Sequence, residues 1–235
     1  MSRFSDYIIY LNESGEQPTP NDSLFILSAC IFDKKHYSEK LVPRLQALKF
    51  QYFGHDGVLL SADDGLGPSL RHQFQADFSA LLDSVNFILI SCVYDRMLTN
   101  DKDLKIPRDE MLRFSLDHAS RFLQEREQTD RLTNVIAVGS DPDQNEQAVQ
   151  AFRQVCAQKK GQDLPFSLQI TELYHQPLGN QFVNGLFSSI RMYYQSPEKE
   201  NAVFERLKTK FYCRDGRKNV GHDYEGWGYK VFNNE

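Results

Sequence analysis

The sequence predicts an α/β fold: a mixed sheet that opens with an antiparallel hairpin and carries helices on both faces. Two β-branched and aromatic runs, residues 6–11 and 24–32, flank a turn-rich stretch with Gly15, Pro18, Pro20 and Asn21, the pattern of a hairpin with a long loop. Beyond them helical and strand-like periodicities alternate along the chain, which places helices over a sheet. The chain has 235 residues, 40% hydrophobic and 25% charged, enough for one sizeable core. No internal repeat or long linker divides it, so residues 1–235 are expected to form one domain.

Residues 36–52 have helical spacing (Leu41, Leu45, Leu48, Tyr52), with Pro43 required either in a first turn or at the end of an earlier one. A loop through Gly54 and Gly57, the short apolar run 58–60 and a second loop follow. Residues 70–85 read as an amphipathic helix feeding a buried strand at 87–93. Residues 108–127 read as a long helix with Met111, Leu112, Leu116, Ala119 and Leu123 on its apolar face. A strand at 132–138 leads to Asp143, which caps or begins a helix through Val155. A strand at 166–171, helices at 177–194 and 199–211, and a glycine- and aromatic-rich tail at 221–233 complete the chain.

Composition excludes several classes. No apolar run reaches membrane-spanning length, and the first residues lack the apolar core of a secretory signal. Cys30, Cys92, Cys156 and Cys213 are scattered without a C-x-x-C pair, which argues for buried free thiols, against zinc, and for a reducing, cytoplasmic setting. The net charge of −5 disfavours nucleic-acid binding through bulk electrostatics. Two basic clusters, Lys102/Lys105/Arg108 and Arg206/Lys208/Lys210/Arg214/Arg217/Lys218, could still follow a nucleic-acid backbone or be solvated faces.

Three segments carry a family resemblance. Y-L-N-E-S-G (residues 10–15) ends the first strand, G-N-Q-F-V-N-G-L-F-S-S-I-R-M-Y-Y (179–194) forms a late helix, and G-W-G-Y-K-V-F (226–232) lies near the end. In this order they resemble the D-E-S-G, G-L-Q-L-A-D and G-x-G-x-K-x-F motifs of a widespread bacterial and phage domain family of unknown function. That resemblance implies an RNase H-like fold and a family predicted to include nucleases.

An RNase H-like nuclease holds two divalent cations about 3.5–4 Å apart, and magnesium or manganese takes carboxylate and water oxygens. Carboxylates must therefore converge from the first strand, a central strand and a late helix. Asn12 stands at the family's first aspartate and Asn184 at the late-helix aspartate; the central position falls on Val138, with Asp141 and Asp143 just beyond. Ser61 stands where relatives carry a histidine. Glu13 and Asp95 keep the acidic character, but Glu13 neighbours Asn12 on an extended chain and points to the opposite face.

Each residue also has a plainer reading: Asn12 and Asn184 as turn and packing residues, Asp141 and Asp143 as a turn and helix cap, Asp95-Arg96 as a turn or surface ion pair. Trp227 and Tyr229 could stack on bases, but an aromatic tail more often packs on its own domain. The resemblance and its lost acids imply a degenerate, non-catalytic member of the family, a pseudoenzyme without cofactor. It would act by binding a protein or nucleic-acid partner, with homo-oligomer formation left open. The alternative is an active magnesium- or manganese-dependent nuclease rebuilt on Glu13, Asp95 and Asp141 or Asp143.

Overall fold

The computed structural model of the chain describes residues 3–15, 23–55, 66–98, 106–139, 142–157, 164–215 and 220–232. Strand β1 (Phe4–Ser14) pairs antiparallel with β2 (Leu24–Asp33), and β2 antiparallel with β3 (Ile88–Asp95). On the other side of β1 lies β4 (Leu132–Gly139), parallel to it, and then β5 (Phe166–Glu172), parallel to β4. β6 (Tyr229–Phe232) runs parallel to β3, giving the order β5-β4-β1-β2-β3-β6. This is the mixed α/β sheet with an opening antiparallel hairpin that the sequence predicts.

Alternation along the strands divides the core. Tyr10, Ile26, Cys30, Leu89 and Val93 face one layer with α2 (Val42–Phe53), α3 (Pro68–Ser84), α6 (Leu178–Gln195) and α7 (Ala202–Lys208). Ile9, Leu11, Phe25, Ile90 and Val135 face the other, with α4 (Arg108–Glu125) and α5 (Pro142–Ala157). β2 is buried along almost its whole length, as a strand covered on both faces must be. Among the described residues no helix is long and apolar enough to cross a membrane.

Several local readings change. The helix around Pro43 is not uniform: a short α1 (Lys34–His36) passes through a π-helical turn (Tyr37–Leu41) into α2, with Pro43 in its first turn. The wider turn places proline, which lacks an N–H, where none is needed. The expected helix at 199–211 shortens to Ala202–Lys208 because Asn201 caps Phe204 N–H, while residues 210–212 bond to both sides of Leu89. The tail supplies the edge strand β6, absent from the sequence reading. Trp227 packs near His118 and Tyr212, with the Arg121 guanidinium over its ring, so the tail does fold onto its own domain. The expected apolar run 58–60 and Ser61 lie outside the described residues.

The close seat of α6 on β1 rests on Gly179. A Cβ there would lie 2.3 Å from the Tyr10 ring, and Tyr10 is itself wedged among Phe32 and Tyr37. Gly179→Ala gains at most ~1 kcal/mol in helix propensity. Overpacking a filled core costs about 1–3 kcal/mol, so the clash wins. A lower urea midpoint at an unchanged m-value is the expected result.

Candidate functional site: an amide-lined cleft at the sheet's switch point

β1 and β4 are adjacent and parallel, but their ladder ends at the pair Leu11↔Ala137. Past it β1 continues paired only with β2, and β4 only with β5. The two chains therefore leave in opposite directions, which opens a crevice at the carboxyl ends of the strands, the usual ligand position in open α/β sheets. A cleft of about 420 Å³ lies there, reached by Asn12 and Glu13 of β1, Ala137 to Gly139 of β4, and Asn184 of α6.

The α6 wall is a network of neutral amides. Asn12, 5% exposed, donates through Nδ2 to the Asn180 carbonyl (3.0 Å) and to Asn184 Oδ1 (2.6 Å). Its own Oδ1 accepts from Asn180 Nδ2 at 2.5 Å, and that same Nδ2 reaches the carbonyls of Leu11 (3.2 Å) and Ile136 (3.1 Å). Asn184 Nδ2 donates to Gln176 Oε1 at 3.0 Å, and the Gln176 carbonyl accepts from Gln181 Nε2 at 2.9 Å. Fully buried Lys49 donates to Gln181 Oε1 at 2.6 Å. Asn180 and Asn184, four residues apart, share one face of α6, so one helix turn supplies both partners of Asn12.

The opposite wall is apolar. Leu168 and Ile170 of β5 and Ala137 of β4 are only half-buried, and Ala148, Ala151 and Phe152 of α5 face them. Gly139 lets α5 come close: a Cβ there would meet Asn145 Oδ1 at 1.8 Å and the Ile170 methyl at 2.7 Å. Leu173 and Tyr174, 41% and 84% exposed, follow the end of β5, and Leu173 reaches the cleft.

The acidic positions do not converge. Glu13 points to the α4 face, where Arg108 Nε lies 3.5 Å away and its guanidinium stacks over Phe25. Asp95 does not line the cleft: it accepts from Ser23 Oγ at 2.7 Å and from Met97 N–H at 2.9 Å. Beside it Tyr194 is pushed up to about 12, by burial first and then by the Asp95 charge. Asp95 thus anchors a turn, one of its two plainer readings, while Arg96 donates to the Gly15 carbonyl. Asp141 lies outside the described residues. Asp143 falls inside α5, which begins at Pro142, so it begins the helix instead of capping it. Val138 lines the cleft as an aliphatic wall.

A two-metal centre does not fit the donors present. Both Nδ2 hydrogens of Asn12 are committed, its Oδ1 is taken by Asn180, and Asn184 Oδ1 is taken by Asn12. Among the described residues no three of His, Cys, Asp or Glu come together as ligands. Within the second basic cluster Arg206 pairs with Asp83, Lys208 pairs with Glu205, and Lys210 donates to the Val85 carbonyl. Lys102, Lys105, Arg217 and Lys218 lie outside the described residues. Ser14 Oγ, no part of a triad, accepts from Arg191 at 3.1 Å.

Fold and site together define an α/β domain with a cleft at its switch point that has one wall of neutral amides. No family model matches the chain, and no curated protein matches it.

Proposed function

We propose that the chain is a degenerate, non-catalytic member of the RNase H-like nuclease family it resembles, acting by binding a partner. One observation carries this reading: the two positions where the resemblance expects aspartates hold Asn12 and Asn184, hydrogen-bonded to each other at 2.6 Å. Two unit charges ~4 Å apart interact by about 4 kcal/mol at an effective dielectric of ~20, so neutral amides forfeit most of the attraction that gathers a pair of divalent ions. The internally paired cations Arg206 and Lys208 and the net charge of −5 favour a protein partner over a nucleic acid. A cytoplasmic setting is supported by four cysteines that are all free and buried, with the Cys92 thiol pushed up to about 12 by burial.

Purified protein incubated with single- and double-stranded DNA and RNA in magnesium or manganese is expected to leave every substrate intact. Metal-dependent cleavage that disappears in Glu13→Ala or Asp141→Ala would overturn the reading in favour of a rebuilt nuclease site.

A further inference from the structure

The amide network leaves a surplus of donors facing the cleft. Gln176 is 7% exposed and uses its Oε1 for Asn184 and its carbonyl for Gln181, while its Nε2 makes no hydrogen bond among the described residues. Asn184 spends one of its two Nδ2 hydrogens, on Gln176. Asn145, in the first turns of α5, makes no side-chain hydrogen bond among the described residues, yet lines the same cleft. Three amides thus bring donor hydrogens without a protein partner among the described residues to one cleft, where a ligand's acceptors can take them.

The facing wall sets the ligand's shape. Ala148 and Ala151 are too small to fill the gap between α5 and the half-buried Leu168 and Ile170, which leaves a slot with apolar sides. Its volume of about 420 Å³ lies within the range of ~300–1,000 Å³ usual for small-molecule pockets. A ring with apolar faces and acceptors along its edge would meet both walls. Charge narrows it further: Arg108, the one cation among the described lining residues, faces Glu13, and Asp109 also lines the cleft, which disfavours a phosphate.

We propose that this cleft binds a nucleobase, carried on an uncharged nucleoside, with its ring between α5 and the ends of β4 and β5. Its ring nitrogens or carbonyls accept from Gln176, Asn184 and Asn145. Gln176 and Asn184 act here as donors, since their side-chain oxygens already accept from Asn184 and Asn12. The proposal shares only the cleft with the reading above and does not depend on whether the protein cleaves nucleic acid.

Ligand-observed NMR and calorimetry on the full chain with adenosine, guanosine, cytidine and uridine, ribose serving as control, test it. At least one nucleoside is expected to saturate below millimolar concentration, and ribose is not. Ala151→Phe, which fills the slot, should abolish binding, and Asn145→Ala should weaken it about tenfold without breaking any internal bond. If Ala151→Phe does not keep the wild-type circular dichroism, Asn145→Ala decides alone. Saturation by none of the nucleosides, binding unchanged in the variants, or binding of a short oligonucleotide without any nucleoside overturns the proposal. Metal-dependent cleavage together with nucleoside binding would sink the non-catalytic reading and leave this one standing.

Discussion

The double substitution Asn12→Asp with Asn184→Asp is expected to destabilise the protein by about 3–5 kcal/mol at neutral pH in chelator, and manganese to restore most of that loss. Asn12 Nδ2 now sits 2.6 Å from Asn184 Oδ1 and 3.0 Å from the Asn180 carbonyl. A carboxylate has no proton to offer either oxygen, so two attractive contacts become oxygen–oxygen repulsions in a buried place. Two facing carboxylates cannot both ionise there cheaply, and one holds its proton to a raised pKa. A raised folded-state pKa means the variant is most stable below the ordinary carboxyl range and loses stability as pH climbs through the raised value. A divalent ion removes the repulsion, and at a hundredfold excess over its Kd stabilises by about 2.7 kcal/mol. Urea melts in chelator, manganese and acid read all of this. Wild-type protein, with amides already paired, should show no manganese shift. An equal shift in wild type would mean that the present cleft already holds the ion and would sink the non-catalytic proposal.

The fold was legible because each long element carries its own signal. Residues 24–32 are apolar apart from Ser28, and the structure buries β2 on both faces. α4 was visible in the spacing of Met111, Leu112, Leu116, Ala119 and Leu123, all buried against the sheet. β6 was not visible: at four residues it is too short for an alternation signal, and its pairing with β3 is decided by the neighbouring strand. The ending of α7 was misjudged for the same kind of reason, since residues 210–212 give their backbone to Leu89. Within the site, Asn12 and Asn184 came from the resemblance, and the opposed direction of Glu13 came from strand alternation. Asn180 was missed, although its spacing of four from Asn184 was there to be read. Gln176 and Asn145 carry no local mark, because only tertiary packing turns a loop glutamine and a helix asparagine toward one crevice.

Asn180→Leu should be the most damaging single change at the seam between β1 and β4, costing about 3–5 kcal/mol out of a total that for domains is ~5–15 kcal/mol. Asn180 is fully buried, and its Nδ2 alone serves the Leu11 and Ile136 carbonyls and Asn12 Oδ1. Those two carbonyls belong to adjacent strands at the point where their ladder stops, so one amide continues from α6 the pairing that the backbone gives up. Leucine fills similar space but removes a buried donor whose two hydrogens are shared among those three acceptors. Its one compensation is removal of Asn180 Oδ1, itself buried without a partner, and a single such group offsets roughly 1–3 kcal/mol at most. The loss should appear as local opening first, with amide exchange accelerating at Leu11, Asn12 and Ala137 before the core of β2. Asn180→Asp separates the donor from the shape: it keeps the side chain's size, yet faces three oxygens with another. It should match or exceed the leucine variant at neutral pH and recover in acid, where a protonated carboxyl supplies one N–H substitute. If both variants melt with the wild type, the amide does not hold the seam, and the cleft's walls are positioned by apolar packing alone.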